Sequence, residues 1–174
     1  MSEITAYLSE IRKNLDQGDA TEHTHRPALK TLMEGLFQGV TATNEPKRIA
    51  CGAPDFLLSK KNVLLGHIKT KDIGTDLDEI ELGKGAHGDQ FVRYRNGLSN
   101  WILTDYLDFR WYVGGQKRLQ VCIADLDHKG KLKPLVGSEP QLVELLGAFI
   151  NQLSYTSTVT SSPRPEVIIG QRQV

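Results

Sequence analysis

The chain has 174 residues, with 21 Lys+Arg against 21 Asp+Glu, a formal net charge of zero, and 39% hydrophobic residues. That length and composition predict one soluble globular domain with a sizeable core, or one domain plus a tail, and exclude global disorder and a fibrous repeat. No apolar run approaches the roughly 18 residues of a membrane span, no signal-peptide segment opens the chain, and the balanced charge supplies no bulk field for nucleic acid.

The two cysteines, Cys51 and Cys122, build neither a disulfide framework nor a four-ligand zinc site, so a reducing cytoplasm is the expected location. They read as buried packing residues.

Along the chain, Ile4, Tyr7, Leu8, Ile11 and Leu15 recur at helical spacing and Gly18 follows as a stop signal. A second helix is expected from Glu22 to about Phe37, with Thr21 as N-cap and Pro27 near enough its start to be tolerated. Val40 to Thr43 is a short extended segment. Pro54 to Ser59 and Asn62 to Lys71 read as a hairpin joined through Lys60 and Lys61. The run Val63-Leu64-Leu65 suggests that the second of these strands is central and buried.

Asp72 to Gly88 is acidic, glycine-punctuated and loop-like, followed by a helix from about Asp89 to Gly97 with Asp89 as its cap. Trp101 to Asp105, Asp108 to Val113 and Leu119 to Ala124 read as strands, with Gly114-Gly115 as the turn between the last two. Trp101, Trp111 and Tyr112 are expected to fill the core. Ser138 and Gln141 form a capping box for a closing helix. Seven of the twelve residues from Ser154 to Pro165 are Ser or Thr and two are Pro, the composition of a linker. The expected division is a domain over 1–153 and a linker or tail over 154–174. The order from residue 22 to 105 is helix, three strands, helix, strand, which predicts an α/β sandwich.

Three features could carry chemistry. Glu22 lies seven residues before Leu29 and eleven before Met33, so helical periodicity turns it toward the apolar stripe, although an acid in a first turn is also favoured by the helix dipole. Asp55 enters an apolar strand where Asp is a poor fit, unless it belongs to a turn. Lys69 and Lys71 share one face of a strand, either toward solvent or toward a partner. His23 and His25 stand two apart and cannot bind one metal from a common helix face, and His67 reads as a surface or cleft histidine. Residues 44–71 hold six Lys/Arg and two acids, whereas 72–89 hold six acids and one lysine. A basic edge beside an acidic loop can steer DNA, or can simply be solvated surface.

Asp55, thirteen intervening residues and the tripeptide Lys69-Thr70-Lys71 resemble the core of the PD-(D/E)XK nucleases, and Gln90 with Tyr94 matches the Q-x-x-x-Y helix motif of its RecB-type branch. The segments TEHTHRPALK, ATNEPKRIACGAPDF, KTKDIGTDLDEIE and LTDYLDFRWY are similar to the N-terminal nuclease region of large single-chain restriction-modification proteins that continue into an N6-adenine methyltransferase. The resemblance implies a restriction-endonuclease-like three-layer sandwich with a mixed central sheet, plus a C-terminal hairpin and helix. It also implies hydrolysis of DNA phosphodiester bonds, with double-stranded DNA as partner and a homodimer for double-strand cleavage. The methyltransferase and target-recognition domains would lie C-terminal.

By the same resemblance, Glu22 and Asp55 would hold Mg²⁺ with a backbone carbonyl near Thr70, the metal would activate a water and polarise the phosphate, and Lys71 would position that water. Gln90 and Tyr94 would brace the site or touch the DNA backbone, while Lys47, Arg48, Lys60, Lys61, Arg93 and Arg95 are candidate phosphate contacts. Lys69 departs from the pattern, because the family has an acidic metal ligand there. An ammonium about 4 Å from a dication is repelled by about 8 kcal/mol at an effective dielectric constant of about 20, so Mg²⁺ binding is expected to be weakened or absent. A non-catalytic DNA-binding or assembly module with a nuclease fold is the alternative. A small-ligand domain is a third reading, for which no phosphate loop or cofactor motif speaks.

Overall fold

The apolar spacing at residues 4, 7, 8 and 11 produces helix α1, Glu3–Asp16, which buries those four side chains in a computed structural model that describes residues 1–160, with side chains through residue 152. Gly18, at φ +89°, ends it in the left-handed conformation that glycine adopts without steric cost. Helix α2, Glu22–Leu36, follows from Thr21, whose backbone N–H donates to the Thr24 hydroxyl at 3.0 Å. It packs Ala28, Leu29, Leu32 and Met33 inward.

Six strands then form one sheet in chain order: β1 (Val40–Asn44), β2 (Phe56–Lys60), β3 (Val63–Thr70), β4 (Asn100–Thr104), β5 (Asp108–Val113) and β6 (Gln116–Cys122). Every neighbouring pair is antiparallel except β3 and β4, which run parallel with Lys69 opposite Leu103. A parallel pair needs a crossover. That crossover contains α3 (Leu77–Glu81) and α4 (Gly85–Gly97).

β4 is buried at all five positions because both of its faces are covered. Trp101 and Leu103 meet Phe91 and Tyr94 of α4 and Tyr112 of β5, with Trp101 and Tyr112 stacked at 4.8 Å. Ile102 joins the larger core formed with α1, α2 and α5 (Ser138–Thr160). Helices on both faces of a mixed sheet make the three-layer α/β sandwich expected from the sequence. A separate small hairpin of β7 (Ala124–Leu126) and β8 (Leu132–Pro134) precedes α5.

Several local expectations are corrected. The acidic 72–88 stretch is not all loop: Leu77 and Ile80 are buried, so α3 forms under an Asp76 cap, and α4 starts at Gly85 after Lys84 rather than at Asp89. Val63 and Leu64 are half exposed, at 50% and 47%, because the outer end of β3 projects past its cover. His67 is buried rather than on the surface, and both cysteines are only half buried. The last predicted strand begins earlier, at Gln116, and ends at Cys122, while its expected final residue, Ala124, opens β7. The Ser138 hydroxyl donates to the Leu135 carbonyl at 2.6 Å, which ties α5 back to the chain before it. Helix α5 also continues through Thr160, so the first part of the Ser/Thr-rich stretch is helical; the rest of that expected linker, and the tail to 174, lie outside the described residues.

His25 and His67 are 1% and 7% exposed, and burial lowers the pKa of each, against the weaker upward pull of Asp72 on His25. A histidine whose folded-state pKa is depressed binds fewer protons when folded, so its contribution to stability is lost as pH falls below its ordinary value of about 6.5. Each should remove up to about 1.4 kcal/mol per pH unit in that range. Thermal unfolding between neutral and mildly acidic pH should show the decline, and His67→Asn should shrink it. Equal pH slopes for the two chains would refute the assignment.

Candidate active site

The C-terminal end of β3 is where the expected site residues meet. Asp55 precedes β2 by one residue and is 4% exposed. Its backbone N–H donates to the Ile68 carbonyl, which fixes it against β3. Its Oδ2 accepts the Thr70 backbone N–H at 2.7 Å and the Thr70 hydroxyl at 3.1 Å, while Lys69 Nζ lies 3.2 Å away. Its Oδ1 accepts from Arg26 Nη2 at 2.5 Å. Both carboxylate oxygens are therefore engaged by donors from the protein itself.

Arg26 joins the acidic residues. It is 4% exposed, and its guanidinium also reaches Glu22 Oε1 at 3.4 Å, one turn earlier on α2, and Glu45 Oε1 at 3.1 Å. Glu22 sits at the first position of α2, where its backbone N–H donates to Asp72 Oδ1 at 2.7 Å and its carbonyl accepts the Tyr106 hydroxyl. The inward turn expected of Glu22 leads to Arg26 rather than into the apolar stripe.

Lys71 occupies the other half of the site. At 5% exposure its ammonium donates to Gln90 Oε1 at 2.7 Å and lies 3.0 Å from His87 Nδ1. Burial and the neighbouring Lys69 ammonium lower its pKa from 10.5 to about 8, outweighing Glu22, Asp55 and Asp72. Gln90 and Tyr94 have separate tasks. Gln90 holds Lys71, whereas Tyr94, 1% exposed, packs under the loop that carries Asp55. A Cβ at Gly52 would meet the Tyr94 ring at 2.7 Å, so that close approach requires glycine. Tyr94 is too deeply buried to face DNA, and burial raises its pKa to about 12.

The candidate phosphate contacts separate into groups. Lys47 and Arg48 are exposed on the loop before Asp55, and Arg93 of α4 borders the same hollow as Ile49, Ala50 and Cys51. Lys60 and Lys61 lie at the β2–β3 turn, the opposite end of β3 from Lys69 and Lys71, roughly 25 Å away by strand length. Arg95 lies over the Phe91 ring at 5.7 Å, toward the end of α4. The acids of 72–89 are largely engaged within the fold: Asp78 and Glu81 pair with Arg110, and Asp76 caps α3. They do not form a free acidic loop.

Sequence reading missed Arg26, His87 and the Thr70 N–H and hydroxyl as donors to Asp55. Arg26 is four residues after Glu22 on one helix face, and His87 is three before Gln90 on another, so the spacing was present without a reason to select it.

The donor set does not fit a hard divalent cation. Among the described residues, no three His, Cys, Asp or Glu side chains converge, Asp55 is fully engaged, and an ammonium sits where a further carboxylate would be needed.

No family model and no curated protein matches the chain. Its fold resembles that of a chain in the cryo-EM structure of a DrdV–DNA complex, with a TM-score of 0.62 at 19% identity, over 85% of this chain. The matched region spans 13% of that longer chain. The chain thus shares the three-layer architecture of a domain from a protein that has been captured on DNA.

Proposed function

We propose that this chain is the DNA-acting endonuclease domain of a restriction-modification protein, held silent by Lys69. The observation that carries the reading is the convergence of Glu22, Asp55, Lys71 and Gln90 at the end of β3, with Lys69 Nζ 3.2 Å from Asp55 in place of an acid. The fold shared with the DNA-bound DrdV chain supports DNA as the partner, and the small share of that chain which it covers supports a module within a larger assembly. Methyltransferase and target-recognition domains following in the same polypeptide, action as a homodimer on double-stranded DNA, and a cytoplasmic setting belong to this reading.

Lys69→Glu would remove the ammonium and add a third carboxylate beside Glu22 and Asp55, the kind of oxygen donors Mg²⁺ takes, once the ion displaces Arg26 from those carboxylates. Plasmid cleavage measured across a Mg²⁺ titration should rise from background in the present chain to clear nicking or linearisation in the variant. A Lys69→Glu chain that folds and binds Mg²⁺ but leaves plasmid intact removes the nuclease reading.

The full engagement of Asp55 by Arg26, Lys69 and Thr70 favours a second reading, a DNA-binding or assembly module that keeps the fold without the reaction. Persistent DNA binding without cleavage by Lys69→Glu selects it.

A further inference from the structure

Lys69 has more donors than its partner uses. An ammonium carries three N–H groups, and Asp55 is the partner of Lys69 among the described residues. The side chain remains 13% exposed at the edge of the site. Asp55 is meanwhile satisfied by Arg26 and by both donors of Thr70. Lys69 can therefore keep Asp55 and turn a remaining N–H outward.

Charge decides what that N–H can hold. Around it stand Glu22, Glu45, Asp55 and Asp72 against Arg26 and Lys71, an excess of negative charge that repels a phosphate. The Lys69 ammonium halves that excess, from −2 to −1, and offers a phosphate a direct donor at the edge of the site. We propose that Lys69 is a DNA-phosphate contact that substitutes, as a tethered cation, for a divalent ion in admitting a phosphodiester to the Asp55 site. DNA binding by this chain is then independent of metal. The inference rests on the DNA-acting reading above and names the residue through which the site meets its partner.

The test is fluorescence anisotropy with a labelled duplex, in EDTA and in Ca²⁺, across about 50 to 200 mM salt. The present chain should bind equally with and without EDTA. Lys69→Gln should bind about tenfold more weakly, with a salt slope lower by about one contact, and Lys69→Arg should retain affinity. Lys69→Glu should lose more than Lys69→Gln in EDTA and recover in Ca²⁺. Lys129→Gln, at the exposed turn between β7 and β8, controls for general charge loss, and circular dichroism checks each fold.

If the chain binds DNA but Lys69→Gln matches it, or EDTA abolishes its binding, the proposal fails while the DNA-acting reading survives. If the chain binds no duplex at any salt, both fail.

Discussion

Arg26→Gln should cost about 3–5 kcal/mol of folding stability, the penalty for breaking a buried ion pair by removing one partner. The guanidinium is 4% exposed and contacts Glu22, Glu45 and Asp55, from α2, the loop after β1 and the approach to β2. Glutamine fills much of the volume but carries no charge, which leaves the 4%-exposed Asp55 with Lys69 as its remaining cation. Glu45 is 70% exposed and can turn to water, so most of the cost falls on Asp55. Urea unfolding should show the loss. Adding Asp55→Asn should recover at least about 1 kcal/mol relative to the sum of the single changes, since the residues are in contact. Additive losses would mean that the pair is not energetically coupled.

Gly88→Ala should destabilise the chain by about 3 kcal/mol, at the upper end of the overpacking range. A Cβ there would lie 2.2 Å from the Gly83 carbonyl carbon and 2.7 Å from its oxygen. Both are backbone atoms of the turn between α3 and α4, and no side-chain rotation removes the clash. Relief requires α4 to move, and α4 carries His87, Gln90 and Tyr94. Loss of stability should therefore accompany a change in the Lys71 environment, read as a shift of its titration from about 8 toward the ordinary lysine range. An unchanged melting temperature and an unchanged Lys71 titration would show that the corner yields freely.

The layers were legible in the sequence because strong periodicity marks elements with one covered face. Residues 4 to 15 and 138 to 150 fall into this class. The weaker elements depended on contacts distant in sequence. Helix α3 has only Leu77 and Ile80 to bury, and its acids look like loop until Arg110, some thirty residues later, arrives to pair with them. Asp55, Lys69, Lys71 and Gln90 could be selected as a set through their resemblance to a nuclease pattern. Arg26 belongs to no such pattern, and its importance appears only when three chain segments bring carboxylates to it. His67 was misjudged for a similar reason, since strand alternation gives a side chain's face but not what covers that face.

Lys69 stands on, and Lys71 directly follows, a strand hydrogen-bonded along both edges, to β2 and to β4. A slip of β3 by one residue would turn every side chain to the opposite face, so the sheet strongly resists that adjustment. The charge that β3 itself presents beside Asp55 is consequently set by residue 69, which variation elsewhere in the strand cannot reproduce without disrupting the sheet. On the proposed reading, this would make the site a switch with a single address for heredity: one exchange between acid and base at that codon would set its state, while the surrounding architecture is inherited unchanged.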